Sequence, residues 1–175
     1  MCVFIIISFL VGVKPPSIVY LGVNAGVNKW VDESEARYNL FAPDLSVSVS
    51  TPVEGVIFGL EGGITFPVCN YFREMKIHDL YVGVNEVIRK NSFYIGIGVH
   101  RHMLRVECLG EIAFPYPQKL IYEERVWGFK IQAGYIKDIS EMWGIKCEVE
   151  YIHIDKFWEI NVARPGVKVG ILLKG

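Results

Sequence analysis

A chain of 175 residues with a formal net charge of −1 has the size of one domain and lacks the basic surplus that nucleic-acid binding requires. Its hydrophobic fraction is 51% against a charged fraction of 21%, and its mean hydropathy is +0.30, which is apolar for a surface that faces water. Beyond the first dozen residues no apolar run approaches the roughly 18–20 residues of a membrane-crossing helix, so the surplus does not read as a helical membrane protein.

Residues 1–14 (MCVFIIISFLVGVK) have the length and apolarity of an export signal, without its basic leading region or a small-residue cleavage site. A mis-assigned start or a buried first strand would look the same. The expected organisation is a signal-like segment over 1–14 and a single β-barrel domain over 15–175.

After that segment, apolar residues recur with a period of two, which is the strand period. Over 17–30, Val19, Leu21, Val23, Ala25 and Val27 oppose Tyr20, Gly22, Asn24, Gly26 and Asn28. Near 44–50, Leu45, Val47 and Val49 oppose Asp44, Ser46, Ser48 and Ser50. Beyond a turn at 51–55, Phe58, Leu60, Ile64 and Phe66 oppose Gly59, Glu61, Gly63 and Thr65. Around 77–87, Leu80, Val82 and Val84 oppose Asp79, Tyr81, Gly83 and Asn85, and from Ser92 onward Phe93, Ile95, Ile97 and Val99 oppose Tyr94, Gly96, Gly98 and His100.

At 101–103 the apolar positions move from odd to even, giving Leu104, Val106, Cys108, Ile112 and Phe114 against Arg105, Glu107 and Glu111. A turn or a bulge produces such a switch. Read as one bent strand over 92–114 the chain has eight strands, with ten as the alternative. Further on, Trp127, Phe129, Ile131, Ala133 and Tyr135 oppose Gly128, Lys130, Gln132 and Gly134. Then Trp143, Ile145, Cys147, Val149 and Tyr151 oppose Gly144, Lys146, Glu148 and Glu150, and finally Val167, Val169, Ile171 and Leu173 oppose Gly166, Lys168 and Gly170. Short turns near 51–55, 86–91 and 137–142 alternate with longer loops near 31–38, 67–76, 115–124 and 154–161, as in up-and-down barrels.

Alternation alone does not say which face looks inward, because a soluble lipocalin-like barrel around a hydrophobic ligand uses the same period in the opposite sense. Most of the 17 glycines lie on the polar face. Glycine weakens a water-facing strand but suits the crowded inside of a narrow barrel. The aromatics Trp30, Phe66, Phe93, Phe114, Trp127, Tyr135, Trp143 and Tyr151 lie near strand ends on the apolar face, where a lipid interface places aromatic girdles. The expected fold is therefore an all-β, antiparallel up-and-down transmembrane β-barrel.

In this pattern, through segments such as YLGVNAGVN, SFYIGIGVH, LRVECLGEIAF and WGFKIQAGY, the chain resembles the small outer-membrane barrels of the outer-membrane protein A or X type. The resemblance is architectural and covers about residues 17–174. It departs from the commonest members in its cysteines and in ending Leu172-Leu173-Lys174-Gly175 without a terminal aromatic. It implies an outer-membrane location, membrane lipid as the surroundings and a monomer, with external loops, here 31–38 and 116–124, free to meet an extracellular partner.

Charges enclosed in such a lumen must compensate one another. Glu148 and Glu150 lie between a strand with Lys130 and one with Arg164 and Lys168. Lys146, Glu61, Arg105, Glu107 and Glu111 would extend this set into a network of ion pairs plugging the lumen, as side chains fill a barrel of about eight strands. A narrow polar channel is the other reading of the same residues.

No metal or cofactor is expected. His100 and His102 share a strand face, as do His153 and Asp155, but neither pair has a third ligand nearby, and Cys2, Cys69, Cys108 and Cys147 contain no CxxC spacing. No catalytic residue is expected either, since no serine lies within two positions of any histidine. A lipid-modifying barrel enzyme, assembled by long-range contacts, is the remaining alternative.

Overall fold

The computed structural model describes residues 19–32, 40–53, 56–70, 75–110, 118–157 and 160–175; the signal-like segment 1–14 lies outside them. Eight strands follow in chain order: β1 Tyr20–Asp32, β2 Leu40–Val53, β3 Val56–Asn70, β4 Met75–Lys90, β5 Phe93–Gly110, β6 Gln118–Asp138, β7 Trp143–Phe157 and β8 Ile160–Lys174. Each pairs antiparallel with its sequence neighbour, and β1 closes on β8 with Tyr20 opposite Lys174 and Asn28 opposite Gly166. Closure removes both sheet edges, so the strands satisfy each other's backbone groups without water.

One end of the barrel holds the short connections at 54–55, Asn91-Ser92 and 139–142, together with Val19 and Gly175, which exchange two backbone hydrogen bonds of 3.0 and 2.9 Å. Asn91 adopts φ 57°, a left-handed conformation that asparagine tolerates. Its carbonyl accepts a 2.7 Å hydrogen bond from Arg89 Nε. At 139–142 the Ser140 hydroxyl accepts from the backbone N–H groups of Met142 and Trp143, both at 3.2 Å. The other end carries the connections through 33–39, 71–74, 111–117 and 158–159, outside the described residues.

The alternation places aliphatic side chains outward. Ile95, Val149 and Val167 are 64%, 56% and 57% exposed, whereas Asn24, Glu148 and Lys168 on the inner face are at most 2% exposed. A lipocalin-like barrel needs the reverse arrangement, so that alternative is overturned. Leu21, Val23, Ile64, Leu80, Val84, Ile97, Ile131, Val169 and Ile171 continue the outward apolar belt, far beyond the patch a soluble monomer leaves uncovered.

Inside, space is short. A Cβ at Gly63 would fall on the Tyr81 ring, and one at Gly134 on the Tyr94 ring. Each tyrosine lies flat across a neighbouring strand because that strand presents no side chain there.

One expectation fails. The sheet runs without a break through 101–103: Val82 stays opposite Arg101 and Leu80 opposite Met103, while Arg101 and Met103 face Trp127 and Arg125 on the other side. There is neither turn nor bulge. Leu104 is 1% exposed and points inward, and the Arg105 side chain points out at 45%. The apolar residues moved to even positions because the lumen itself becomes apolar here, with Ala42, Leu104, Val126, Ile152, Ile154 and Val162 in one cluster.

Val169 sits midway between the rows of Trp143, opposite Leu173, and Tyr151, opposite Pro165. Val169→Lys should therefore destabilise the folded barrel by about 2–4 kcal/mol, the range for lysine at a bilayer midplane. Denaturant unfolding in lipid vesicles measures it, and a change within about 0.5 kcal/mol, as for an ordinary water-facing site, would contradict the orientation.

Candidate functional site in the barrel lumen

The lumen is filled in three layers. Below the apolar cluster at the long-loop end lies a belt of charge, and below that, toward the short turns, Tyr94, Ile136 and Leu172 pack with Val87.

The charged belt is built from strands far apart in the chain. Lys130 on β6 extends its ammonium to Glu61 on β3 at 2.8 Å and to Glu148 and Glu150 on β7 at 3.2 and 2.8 Å. Lys168 on β8 reaches Asp44 at 3.0 Å, Glu61 at 3.1 Å and Glu150 at 3.1 Å, and donates to the Tyr81 hydroxyl at 2.8 Å. The Tyr81 hydroxyl in turn donates to Asp44 at 2.9 Å. Glu148 accepts from Tyr94 at 2.5 Å and pairs with Lys146 at 2.7 Å.

Nearer the long-loop end, Arg164 pairs with Asp79 and donates to Thr65 at 3.1 Å, and the ring of His102 lies 2.9 Å from the same Asp79. Tyr81 lies beneath this group, with the Arg164 guanidinium 4.9 Å from its ring and the His100 ring stacked at 5.5 Å. Five carboxylates, Asp44, Glu61, Asp79, Glu148 and Glu150, thus meet four cations, Lys130, Lys146, Arg164 and Lys168. No carboxylate of the five lacks a cation, the condition for enclosing charge in a low dielectric.

The structure brings together Glu61, Lys130, Glu148, Glu150, Arg164 and Lys168, with Lys146 at the short-turn edge of the group. Arg105 and Glu107 are not part of it: they lie on the opposite face, paired with each other at 3.2 Å, and Arg105 also reaches Glu123 at 3.6 Å. The unbroken inward parity of β5 put them there. Glu111 lies outside the described residues. Asp44, Asp79, Tyr81 and Tyr94 complete the network although sequence reasoning did not select them. Their place on the polar face was visible, but their partners across the lumen were not.

Of the expected interface aromatics, Phe66, Phe93, Trp127, Tyr135, Trp143 and Tyr151 are outward and exposed. Phe114 and the side chain of Trp30 lie outside what is described. Phe93 meets Tyr135 edge-on at 5.1 Å, and the Arg101 guanidinium lies 4.9 Å from the Trp127 ring. His100 and His102 are buried with ring centroids 6.0 Å apart. Among the described residues, no three His, Cys, Asp or Glu side chains are placed to hold a metal. Cys147 is a free thiol on the exposed face.

At the short-turn end, beyond the Phe93 and Tyr135 rings, Asp138 holds Lys174 at 2.8 Å and Arg89 at 3.2 Å. The hydrogen bond from Lys174, helped by the charge of Arg89, keeps its carboxyl below the usual carboxylate range.

No family model matches the chain, and no curated protein matches it. Solved structures do. Neisserial surface protein A is similar with a TM-score of 0.65 at 11% identity over 89% of this chain and 96% of that one. Ail, the attachment invasion locus protein of Yersinia pestis, gives 0.65 at 6% identity over 91% and 99%. A major outer membrane protein from Thermus thermophilus gives 0.58 at 6% identity over 90% and 99%. The fold is thus the closed eight-stranded, up-and-down barrel of small outer-membrane proteins, a likeness of architecture at low identity.

Two outcomes follow. Lys130→Met leaves Glu61, Glu148 and Glu150 without the cation they share and should cost about 3–5 kcal/mol, read as a lowered urea midpoint in vesicles. A loss no larger than that of Lys90→Met, at an exposed site, would show that the network carries no stability. For Asp138, a folded pKa below the unfolded value adds stability that is present above about pH 3.9, the ordinary aspartate value, and lost as pH falls through the folded value. Lys174→Gln should shrink that acid-side loss by lowering the neutral-pH midpoint toward its acid value, a small change because Asp138 is 46% exposed and Arg89 remains beside it.

Proposed function

We propose that the chain is a non-enzymatic, monomeric outer-membrane barrel whose lumen is plugged and whose work is done by its external loops. The observation that carries this reading is the filled interior. On the long-loop side the belt of mutually paired charges is capped by the apolar cluster of Ala42, Leu104, Val126, Ile152, Ile154 and Val162, which interrupts a polar path through the lumen. The outward aliphatic belt supports hydrocarbon as its surroundings. The exposed rings, Phe93, Tyr135 and Trp143 toward the short turns and Phe66, Trp127 and Tyr151 toward the long loops, suit the two interfacial girdles that would hold it at depth.

With the barrel closed at the long-loop end, specificity falls to the connections there; of the candidate loops 31–38 and 116–124, residues 31–32 and 118–124 belong to β1 and β6, so the connections proper are 33–39 and 111–117. Ail, which shares the fold, is described as an attachment invasion locus protein, and surface attachment is the role this architecture supports here.

Two measurements test the reading. The purified barrel should migrate faster in SDS before heating than after it and should give no sustained current in a planar bilayer at neutral pH. A steady open-pore current from the unaltered chain would overturn the plug. Replacing residues 33–38 or 111–117 with short Gly-Ser turns should abolish adherence to host cells or extracellular matrix while leaving the heat-modifiable form intact. Turnover of phospholipid or acyl lipid that disappears on replacing one histidine would instead establish an enzyme.

A further inference from the structure

The lumen is closed at the long-loop end but not at the other. On the short-turn side of the charged belt a cavity of about 60 Å³ remains, open toward the barrel mouth. Its lining is ordered by chemistry. Arg89, Lys146 and Lys174 contribute three cationic side chains, 19%, 12% and 19% exposed. Ile57, Val87, Ile136 and Leu172 supply apolar wall.

Gln132 lies deeper, 4% exposed, and its side-chain oxygen has no hydrogen-bond partner. A buried acceptor left in this state is costly and calls for a donor.

Lys146 is paired with Glu148 at 2.7 Å, but the other two cations are less fully engaged. Arg89 and Lys174 share a single carboxylate, Asp138, which stands outside the cavity lining and is 46% exposed. Guanidinium and ammonium groups carry several N–H donors each, so both retain donors for a second anion. The one acid among the lining residues, Glu61, is held by Lys130 and Lys168 on its far side.

We infer that this cup binds a short organic anion: a carboxylate or phosphate at one end, a few methylenes, and a hydrogen-bond donor at the other. The anionic group meets Arg89 and Lys174, with Lys146 beside them. The methylenes lie along the apolar wall, and the donor reaches the Gln132 oxygen. Such a head group could belong to a soluble acid or to a lipid of the membrane leaflet on the short-turn side. This inference is independent of the loop-based function and would stand if that function failed.

The test uses the full barrel in maltoside micelles, which carry no phosphate, with γ-hydroxybutyrate as the probe and methyl NMR shifts of Ile57, Ile136 and Leu172 as the readout. Saturable shifts confined to those methyls are expected at millimolar probe. R89Q and K174Q should each weaken binding about tenfold, the scale of one charge-assisted contact, while K174R and the exposed-site control K90Q retain it. Q132L should remove the preference for γ-hydroxybutyrate over butyrate without weakening butyrate itself.

Displacement of the probe by a short-chain phosphatidic acid, but not by inorganic phosphate, would assign the site to a lipid head group; failure of the lipid to displace it would assign a soluble acid. Shifts that never saturate, that spread over the outward aliphatic methyls, or that are unchanged in R89Q and K174Q with the heat-modifiable fold intact would overturn the inference.

Discussion

Lys130 is fully enclosed, and three carboxylates converge on its ammonium. A cation there without those acids, or the acids without it, would be charge held in a low dielectric away from water, a situation that folded proteins avoid by pairing or by neutralisation. The rest of the interior is arranged around meeting this requirement. Glu61 must come from β3, Glu148 and Glu150 from β7, and the second cation, Lys168, from β8. Glycine must stand wherever Tyr81 and Tyr94 need room to lie against the wall and donate to Asp44 and Glu148. The narrowness of eight strands is what lets side chains from opposite walls touch at all.

On the proposed reading the outer surface answers to a different solvent. Lipid offers no hydrogen bonds, so every strand must have a neighbour on both sides, and closure of β1 on β8 provides the last of them. The two faces therefore invert the usual order of a soluble protein, with aliphatics outside and ions within. Composition already carries this inversion, since an apolar excess without a helical span has few other places to go.

Architecture was readable because period-two alternation is local. In β1 the split between Leu21, Val23, Ala25 and Val27 and the intervening Gly and Asn residues is complete, and nothing tertiary disturbs it. The reading failed where the solvent of one face changed along a single strand. Leu104 looks like the start of a new outward-facing register until the apolar cluster at the long-loop end is known, and the misplacement of Arg105 and Glu107 followed from that alone. Strand ends were hidden for a related reason: β6 extends up to Gln118 and β7 up to Phe157 through residues that no longer alternate cleanly. Alternation also tells which face a side chain is on but neither its height nor its position around the barrel. Glu61 and Lys130 could be named as lumen residues, yet their 2.8 Å contact across 69 positions of sequence could not be read.

That sequence distance bears on assembly. Lys168 meets Glu61 across 107 residues and Arg164 meets Asp79 across 85, so these neutralising partners arrive only when the last strand joins the sheet. A half-built sheet in a bilayer would hold naked ions beside acyl chains. An incomplete sheet would therefore carry a charge penalty, which favours closing the ring as a cooperative unit over adding hairpins one at a time.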